Sequence, residues 1–289
     1  MPDNNLWWRE AFNSAHVFLF FFLSFIIYHQ LTSANNIILS VQLNNPSIYF
    51  LVLTVGLLFG FVIEGLQSLT GREASFDDIY KDFFGLLTGI CMIAASDIKE
   101  FHRQRVLKPL YLTAGFCFIL LGLNPLIQLS WHYVARADAF PVIIDLNAPW
   151  ASSFVRFNNA EMVYESVNNE DRALIRFNSG EYPGVAIIEP EADWSGYRLL
   201  RFDVLSPYNE DIKVVIRVHD ESHNQELSDR FNKTLVVSPG LTRVEIKLSQ
   251  IQYGPVDRNM DLTKIAGIVL FLDNPEQPLQ LEVSRLILE

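Results

Sequence analysis

The sequence predicts two domains: an α-helical transmembrane bundle of about four membrane segments, then an all-β jelly-roll sandwich. Three observations carry this expectation. Long apolar runs with few charges fill roughly the first 130 residues. After Trp131 the pattern turns to short runs of β-branched and aromatic residues between turn signals. Charge is also divided unevenly, with 9 acids and 8 bases in residues 1–137 against 24 and 14 in residues 138–289, so nearly all of the net charge of −11 falls in the second half. The expected division is a helical membrane domain over 1–130, a linker over 131–139 and a sandwich over 140–289.

Residues 15–31 (AHVFLFFFLSFIIYHQL), 48–66 (IYFLVLTVGLLFGFVIEGL) and 110–129 (LYLTAGFCFILLGLNPLIQL) approach the ~20 residues a spanning helix needs. Asn124-Pro125 is expected to kink the far end of the last. Residues 83–96 (FFGLLTGICMIAAS) are short for a span, so they either borrow from Ile79-Tyr80 or form a re-entrant hairpin. Buried helices of a water-soluble protein are the competing account, but four such segments leave too few polar faces. The start has no basic n-region or small-residue cleavage site, so no removable signal peptide is expected, and Trp7 and Trp8 suit an interfacial anchor. Lys99, Arg103, Arg105 and Lys108 crowd one short connection, which favours the cytoplasm for that loop and the extracytoplasmic side for both termini. The expected localisation is therefore the cell (inner) membrane, multi-pass.

In the second half, strands are expected at 141–145, 173–177, 184–189, 197–205, 212–219, 234–238, 242–248, 265–272 and 279–288. Alternation is clearest in 212–219 and 242–248, and SPYNED, SPG and DNPEQP supply turns. The acidic balance excludes nucleic acid as a partner, because no basic patch exists to neutralise phosphates. Cys91 and Cys117 both lie in the apolar half, so neither a disulfide framework in the sandwich nor a CxxC metal motif is available. Nucleophile elbows, phosphate loops and HExxH motifs are absent. His219, Asp220 and His223 read as loop residues more readily than as metal ligands. Trp150, Tyr182, Trp194 and Tyr197 are candidates for stacking on sugar rings, although aromatic residues also fill sandwich cores.

One stretch interrupts the apolar half: EGLQSLTGREASFDD followed by DFFG. Glu64 and Gln67 share a helix face. Arg72 follows Gly71 at the helix exit, Asp78 and Asp82 are four apart, and Asp82 is expected to open the next helix, where a negative charge is favoured. Gly85 and Gly89 permit close helix contact. An ionisable residue at membrane depth costs about 2.5–3.5 kcal/mol on insertion scales and normally faces a partner or cavity. A structural clamp between Arg72 and a carboxylate, and a functional site, are equally consistent with the residues alone.

Glu64-x-x-Gln67, Gly71-Arg72, Ser75, Asp78 and Gly85-x-x-x-Gly89 resemble the hallmark string of the VanZ-like membrane family, with Asp82 where that pattern has Asn. His16 matches a histidine the family carries on its first helix, although the preceding lysine is missing. The resemblance covers about residues 1–130 and implies a relationship to teicoplanin-type glycopeptide resistance, without a settled chemistry. It points to Glu64, Gln67, Arg72, Asp78 and His16 as the residues that bind or process an envelope lipid or glycan intermediate. DWSGYRLLRFDV, PGLTRVEIKLSQI and the closing DLTKIAGIVLFL…LQLEVSRLIL are similar to carbohydrate-binding modules with a galactose-binding-like jelly roll. That resemblance implies a cell-envelope glycan as partner and a structural calcium, for which Asp145 and Glu282 are the nearest matches. The alternative function is a non-catalytic, membrane-anchored carbohydrate- or protein-binding module.

Overall fold

The computed structural model describes residues 5–34, 45–69, 76–99, 101–167 and 170–289. The chain divides into two compact units, Met1–Ser130 and Trp131–Glu289.

The first unit contains α1 (Leu6–Ala34), α2 (Asn45–Leu69), α3 (Phe76–Asp97) and α4 (Phe101–Gly122), and α5 (Asn124–Ala139) begins within it. The stretches Leu6–Ser33, Asn45–Gln67, Phe76–Asp97 and Arg105–Gly122 are long and apolar enough to cross a membrane. The short segment 83–96 therefore does borrow from its polar flank: α3 starts at Phe76, with Asp77 and Asp78 in its first turn, where the helix dipole favours acids. Asp82 consequently sits in the second turn rather than at the helix start. The last apolar run ends earlier than expected, because Gly122 closes α4. Asn124-Pro125 opens a new helix, with proline near the first turn, where its missing N–H costs nothing. The expected linker over 131–139 is the second half of that helix.

α3 packs against α1, α2 and α4. Its buried residues, Asp78, Lys81, Asp82, Gly85, Leu86, Thr88, Gly89 and Ile93 among them, recur at helical spacing. Two glycines set the approach of α1. A Cβ at Gly85 would lie 2.4 Å from the Val17 carbonyl oxygen, and one at Gly89 would lie 1.8 Å from Ser24 Oγ. The outer faces of α1 and α2 are apolar and exposed, Phe18, Phe22, Phe50 and Leu58 among them, as lipid contact would require.

The second unit is an antiparallel β-sandwich. Its strands are β1 (Val142–Ile144), β2 (Val155–Asn158), β3 (Ala160–Val167), β4 (Glu170–Phe177), β5 (Gly184–Ile188), β6 (Leu199–Ser206), β7 (Ile212–Asp220), β8 (Phe231–Val237), β9 (Gly240–Lys247), β10 (Ile265–Leu272), β11 (Leu279–Val283) and β12 (Leu286–Leu288). Short helices α6 (Ala151–Phe154) and α7 (Leu248–Gln252) fill turns. The seven-stranded sheet runs β1-β12-β6-β11-β4-β3, with β9 on the other side of β6, and the five-stranded sheet runs β2-β5-β10-β7-β8. Along β7, Ile212, Val214, Ile216 and Val218 are buried while Lys213, Val215, Arg217 and His219 point away, the period of two that one wet face imposes. Phe154, Phe177, Trp194, Phe202, Ile216, Ile268 and Leu281 form the core. The run expected as one strand over 279–288 is split at Ser284-Arg285, and the hairpin β3–β4 adds a strand that sequence alone does not suggest.

Candidate functional site

The polar residues of the bundle converge from three helices. His16 on α1 places Nδ1 2.9 Å from Asp82 Oδ1 on α3. Asp82 is buried, whereas the imidazole keeps a side-chain exposure of 20%. Gly60 on α2 makes room for this carboxylate, since a Cβ there would lie 2.6 Å from Asp82 Oδ2. Glu64 and Asp78 are buried as well, and both lie within electrostatic reach of His16 and Asp82. Lys81, immediately before Asp82, is 1% exposed and pairs with Glu10 on α1 at 2.8 Å. At the other end of the same helices, the Tyr28 and Tyr49 hydroxyls both donate to Asp97 Oδ2, at 2.6 and 2.8 Å.

The structure thus brings together His16, Glu64 and Asp78 from the expected set, with Gln67 half-buried one turn beyond Glu64. Arg72, with Gly71 and Ser75, lies outside the described residues. Sequence reasoning missed Asp82 as the partner of His16 and missed the pair Glu10–Lys81. The 66-residue separation of the first pair leaves no local signal. The spacing of Asp78, Lys81 and Asp82 on one face of α3 is the only trace in the sequence.

His16 bonded through Nδ1 to a carboxylate has a defined tautomer and orientation, with Nε2 directed elsewhere. That arrangement can move a proton at Nε2. Among the described residues, no group of three or more His, Cys, Asp or Glu side chains is placed to hold a metal ion.

In the sandwich, the four aromatic candidates separate. Trp194 is fully buried, its indole N–H donating to the Glu191 carbonyl at 2.7 Å, and Trp150 is 8% exposed beside Phe154. Both are core residues with no ring face to offer a sugar. Tyr197 is half-buried and edge-on to Phe140, while Tyr182 is 53% exposed. Asp145 and Glu282, the expected calcium ligands, each have a partner within the sandwich. Asp145 Oδ1 accepts the Asn147 N–H at 3.0 Å in a tight turn, and Glu282 faces the Arg172 guanidinium at 3.5 Å.

Two arginine hubs were not visible in the sequence. Arg258 donates from Nη1 and Nη2 to Asp220 at 2.6 and 2.7 Å and from Nε to Asp229. It ties the end of β7 to the loop before β8 and leaves Asp220 fully shielded from solvent. His223 joins this network through Nδ1, 3.0 Å from the Asp229 carbonyl oxygen, which accounts for it as a structural loop residue. Arg136 on α5 lies between the rings of Tyr133 and Phe154, at 4.8 and 4.4 Å, and bonds the Glu189 carbonyl and the Glu191 carboxylate. Cation–π contact and ion pairing together hold a charge that is only 8% exposed.

No family model matches the chain, and no curated protein matches it. Among solved structures, the C-terminal half is similar to a family 11 carbohydrate-binding module from Clostridium thermocellum in complex with a β-1,3-1,4-mixed-linked tetrasaccharide, at 15% identity over 50% of this chain and 92% of that one, with a TM-score of 0.40. An exo-β-agarase aligns at 19% identity over 51% of this chain and 24% of its own, TM-score 0.40. A family 28 module specific for non-crystalline cellulose aligns at 10% identity over 52% and 94%, TM-score 0.37. At these values the likeness concerns fold alone, and the sandwich stands on its own strand order.

Proposed function

We propose that this is a VanZ-like multi-pass protein of the cell membrane. In this reading its helical unit binds or processes a polar envelope intermediate, and its sandwich engages a glycan on the extracytoplasmic side. The observation that carries the membrane part of the reading is the meeting of half-buried His16 with buried Asp82, Glu64 and Asp78 on three of the apolar helices. Such a cluster is costly within a bilayer and persists where it has partners or work to do. His16, oriented by Asp82, is the proton carrier, and Arg72 is the group that would hold a phosphate or carboxylate of a lipid-linked intermediate through its planar fork. The concentration of Lys99, Arg103, Arg105 and Lys108 supports a cytoplasmic α3–α4 connection and an extracytoplasmic C-terminal domain. Cysteine-accessibility labelling around Arg72 and in the sandwich tests that orientation, and protection of the sandwich from outside reagents sinks the glycan reading.

A second reading is favoured by the pairs His16–Asp82 and Glu10–Lys81, which neutralise one another as a clamp would. The protein would then be a non-catalytic anchor for a binding module. Replacing His16 by Gln, and separately Arg72 and Asp78 by Ala, separates the two. Loss of the glycopeptide-resistance or other envelope phenotype with normal insertion supports the processing site. An unchanged phenotype with normal insertion leaves the anchor.

A further inference from the structure

The two sheets of the sandwich treat their outward-facing cations differently. On the seven-stranded sheet, arginines meet carboxylates: Arg176 with Glu161 at 3.1 Å, Arg201 with Glu289 at 2.8 Å and Arg243 with Asp203 at 3.6 Å. On the five-stranded sheet, among the described residues, they do not. Arg217 on β7 faces outward between its register partners Val269 and Asn232, and His219 faces outward beside Gly267. Arg230 immediately precedes Phe231, the partner of Val218, so it lies beside His219 on the same face. Among the described residues neither arginine has an ion pair. Nε of Arg217, Nε of Arg230 and Nδ1 of His219 are all shielded from solvent without a hydrogen-bond partner among the described residues.

The electrostatics agree with this geometry. Burial, then the charge of Arg230, lowers the Arg217 pKa from its ordinary value, and burial lowers that of Arg230. Burial, then His223, Arg217 and Arg230, pushes His219 down to about 4 against the opposing pull of Asp220. The imidazole is therefore neutral at pH 7, and the two guanidiniums remain charged, half-desolvated and mutually repelling. Unpaired, partly buried charge is unfavourable, and an incoming anion would relieve it through charge-assisted bonds.

Aromatic surface adjoins this cluster. The Arg217 guanidinium lies 5.3 Å over the Phe271 ring, and Phe271 meets exposed Tyr182 edge-on at 6.0 Å. Gly267 keeps the neighbouring strand open for His219, since a Cβ there would lie 2.6 Å from His219 Cε1.

We propose that the outward face of the five-stranded sheet binds an acidic saccharide, with its carboxylate or sulfate between Arg217 and Arg230 and a sugar ring against Tyr182 and Phe271. This deepens the glycan-binding reading of the sandwich and rests on it. The full chain in nonionic detergent is titrated calorimetrically with polygalacturonate, a sulfated galactan and a neutral mixed-linkage β-glucan. Parallel titrations use Arg217→Gln, Arg230→Gln and Tyr182→Ala, each checked for an unchanged melting profile.

The expected result is binding of an acidic polymer in preference to the neutral one, weakened about tenfold or more by either arginine substitution. Tyr182, being exposed, provides a variant with little risk to folding, and its loss should weaken binding as well. Preference between polygalacturonate and the sulfated galactan distinguishes carboxylate from sulfate. Equal binding of the neutral glucan, unaffected by either arginine variant, overturns the acidic-ligand inference and leaves the glycan reading intact. Acidic-polymer binding that survives both substitutions is diffuse charge attraction and also overturns it. Absence of binding to all three, and to a wider glycan array, overturns both.

Discussion

Removing the cation at the end of β7 should be among the most damaging single changes to the sandwich. Arg258→Met keeps the aliphatic stem and deletes the guanidinium that bonds both Asp220 oxygens, at 2.6 and 2.7 Å. Asp220 has a side-chain exposure of 0%, and after the change its carboxylate keeps the Asp261 N–H at 2.8 Å as its remaining cross-loop donor. Stranding one partner of a buried pair costs about 3–5 kcal/mol. At 2–4 °C per kcal/mol for a domain of this size, the melting point should fall by about 10 °C. Tryptophan fluorescence of the full chain reports this transition, because buried Trp194 lies in the sandwich core. The double variant Arg258→Met/Asp220→Asn should recover part of the loss, since the buried charge at Asp220 is then gone and only Asp229 has lost its guanidinium. A second check comes from acid. Burial opposes the charged form of Asp220, yet Arg258 and the Asp261 N–H overcome it and hold the carboxyl below its ordinary range. A depressed carboxyl stabilises the fold above its unfolded value of about 3.9, and that contribution is lost as pH falls below it. The single variant should therefore lose less stability through that acid range than the parent does. A melting point within 2 °C of the parent in Arg258→Met, read against the ~10 °C expectation, would refute the reasoning.

Other expectations follow from neighbouring features. Gly89→Ala should push α1 from α3, because the added carbon meets Ser24 Oγ at 1.8 Å, and lose about 1–3 kcal/mol in a detergent unfolding titration; Gly89→Ala with Ser24→Ala should recover part of it. His219 has a folded pKa of about 4, below its unfolded value near 6.5, so its neutral form stabilises the fold fully above ~6.5 and that contribution drains away down to ~4. Chemical denaturation across that window should show a slope that His219→Gln flattens. Trp194→Ala should cost about 3–5 kcal/mol in the same assay, while Tyr182→Ala at 53% exposure should change stability little; near-equal effects would contradict their assignment to core and surface.

Much of this fold is legible along the chain because its determinants are local. Four apolar stretches announce the bundle, and the alternation of Ile212 to His219 announces a half-wet strand. Strand β3 escapes notice because Glu161 and Glu165 break its apolar run, and their outward orientation becomes intelligible only beside Arg176 and Arg172 across the hairpin. The candidate site is half legible for a similar reason. Glu64 and Asp78 stand out as charges in apolar surroundings, whereas the choice of Asp82 by His16 is a contact between distant helices. Trp194 was ambiguous in sequence because an aromatic residue suits a core and a sugar platform equally well, and burial alone decides.

The grip of Tyr28 and Tyr49 on Asp97 bears on how deep the His16–Asp82 pair lies. Asp97 and Asp82 are about fifteen residues apart on one helix, a rise of about 22 Å. A hydrocarbon layer is ~30 Å thick. In the proposed membrane setting, with Asp97 taken at one boundary, the pair would fall about 8 Å short of the other, a mismatch that local bilayer thinning or inward-reaching water would meet. On that proposed placement acyl-chain length would be a control on the site, longer lipids sealing the imidazole away from the aqueous phase.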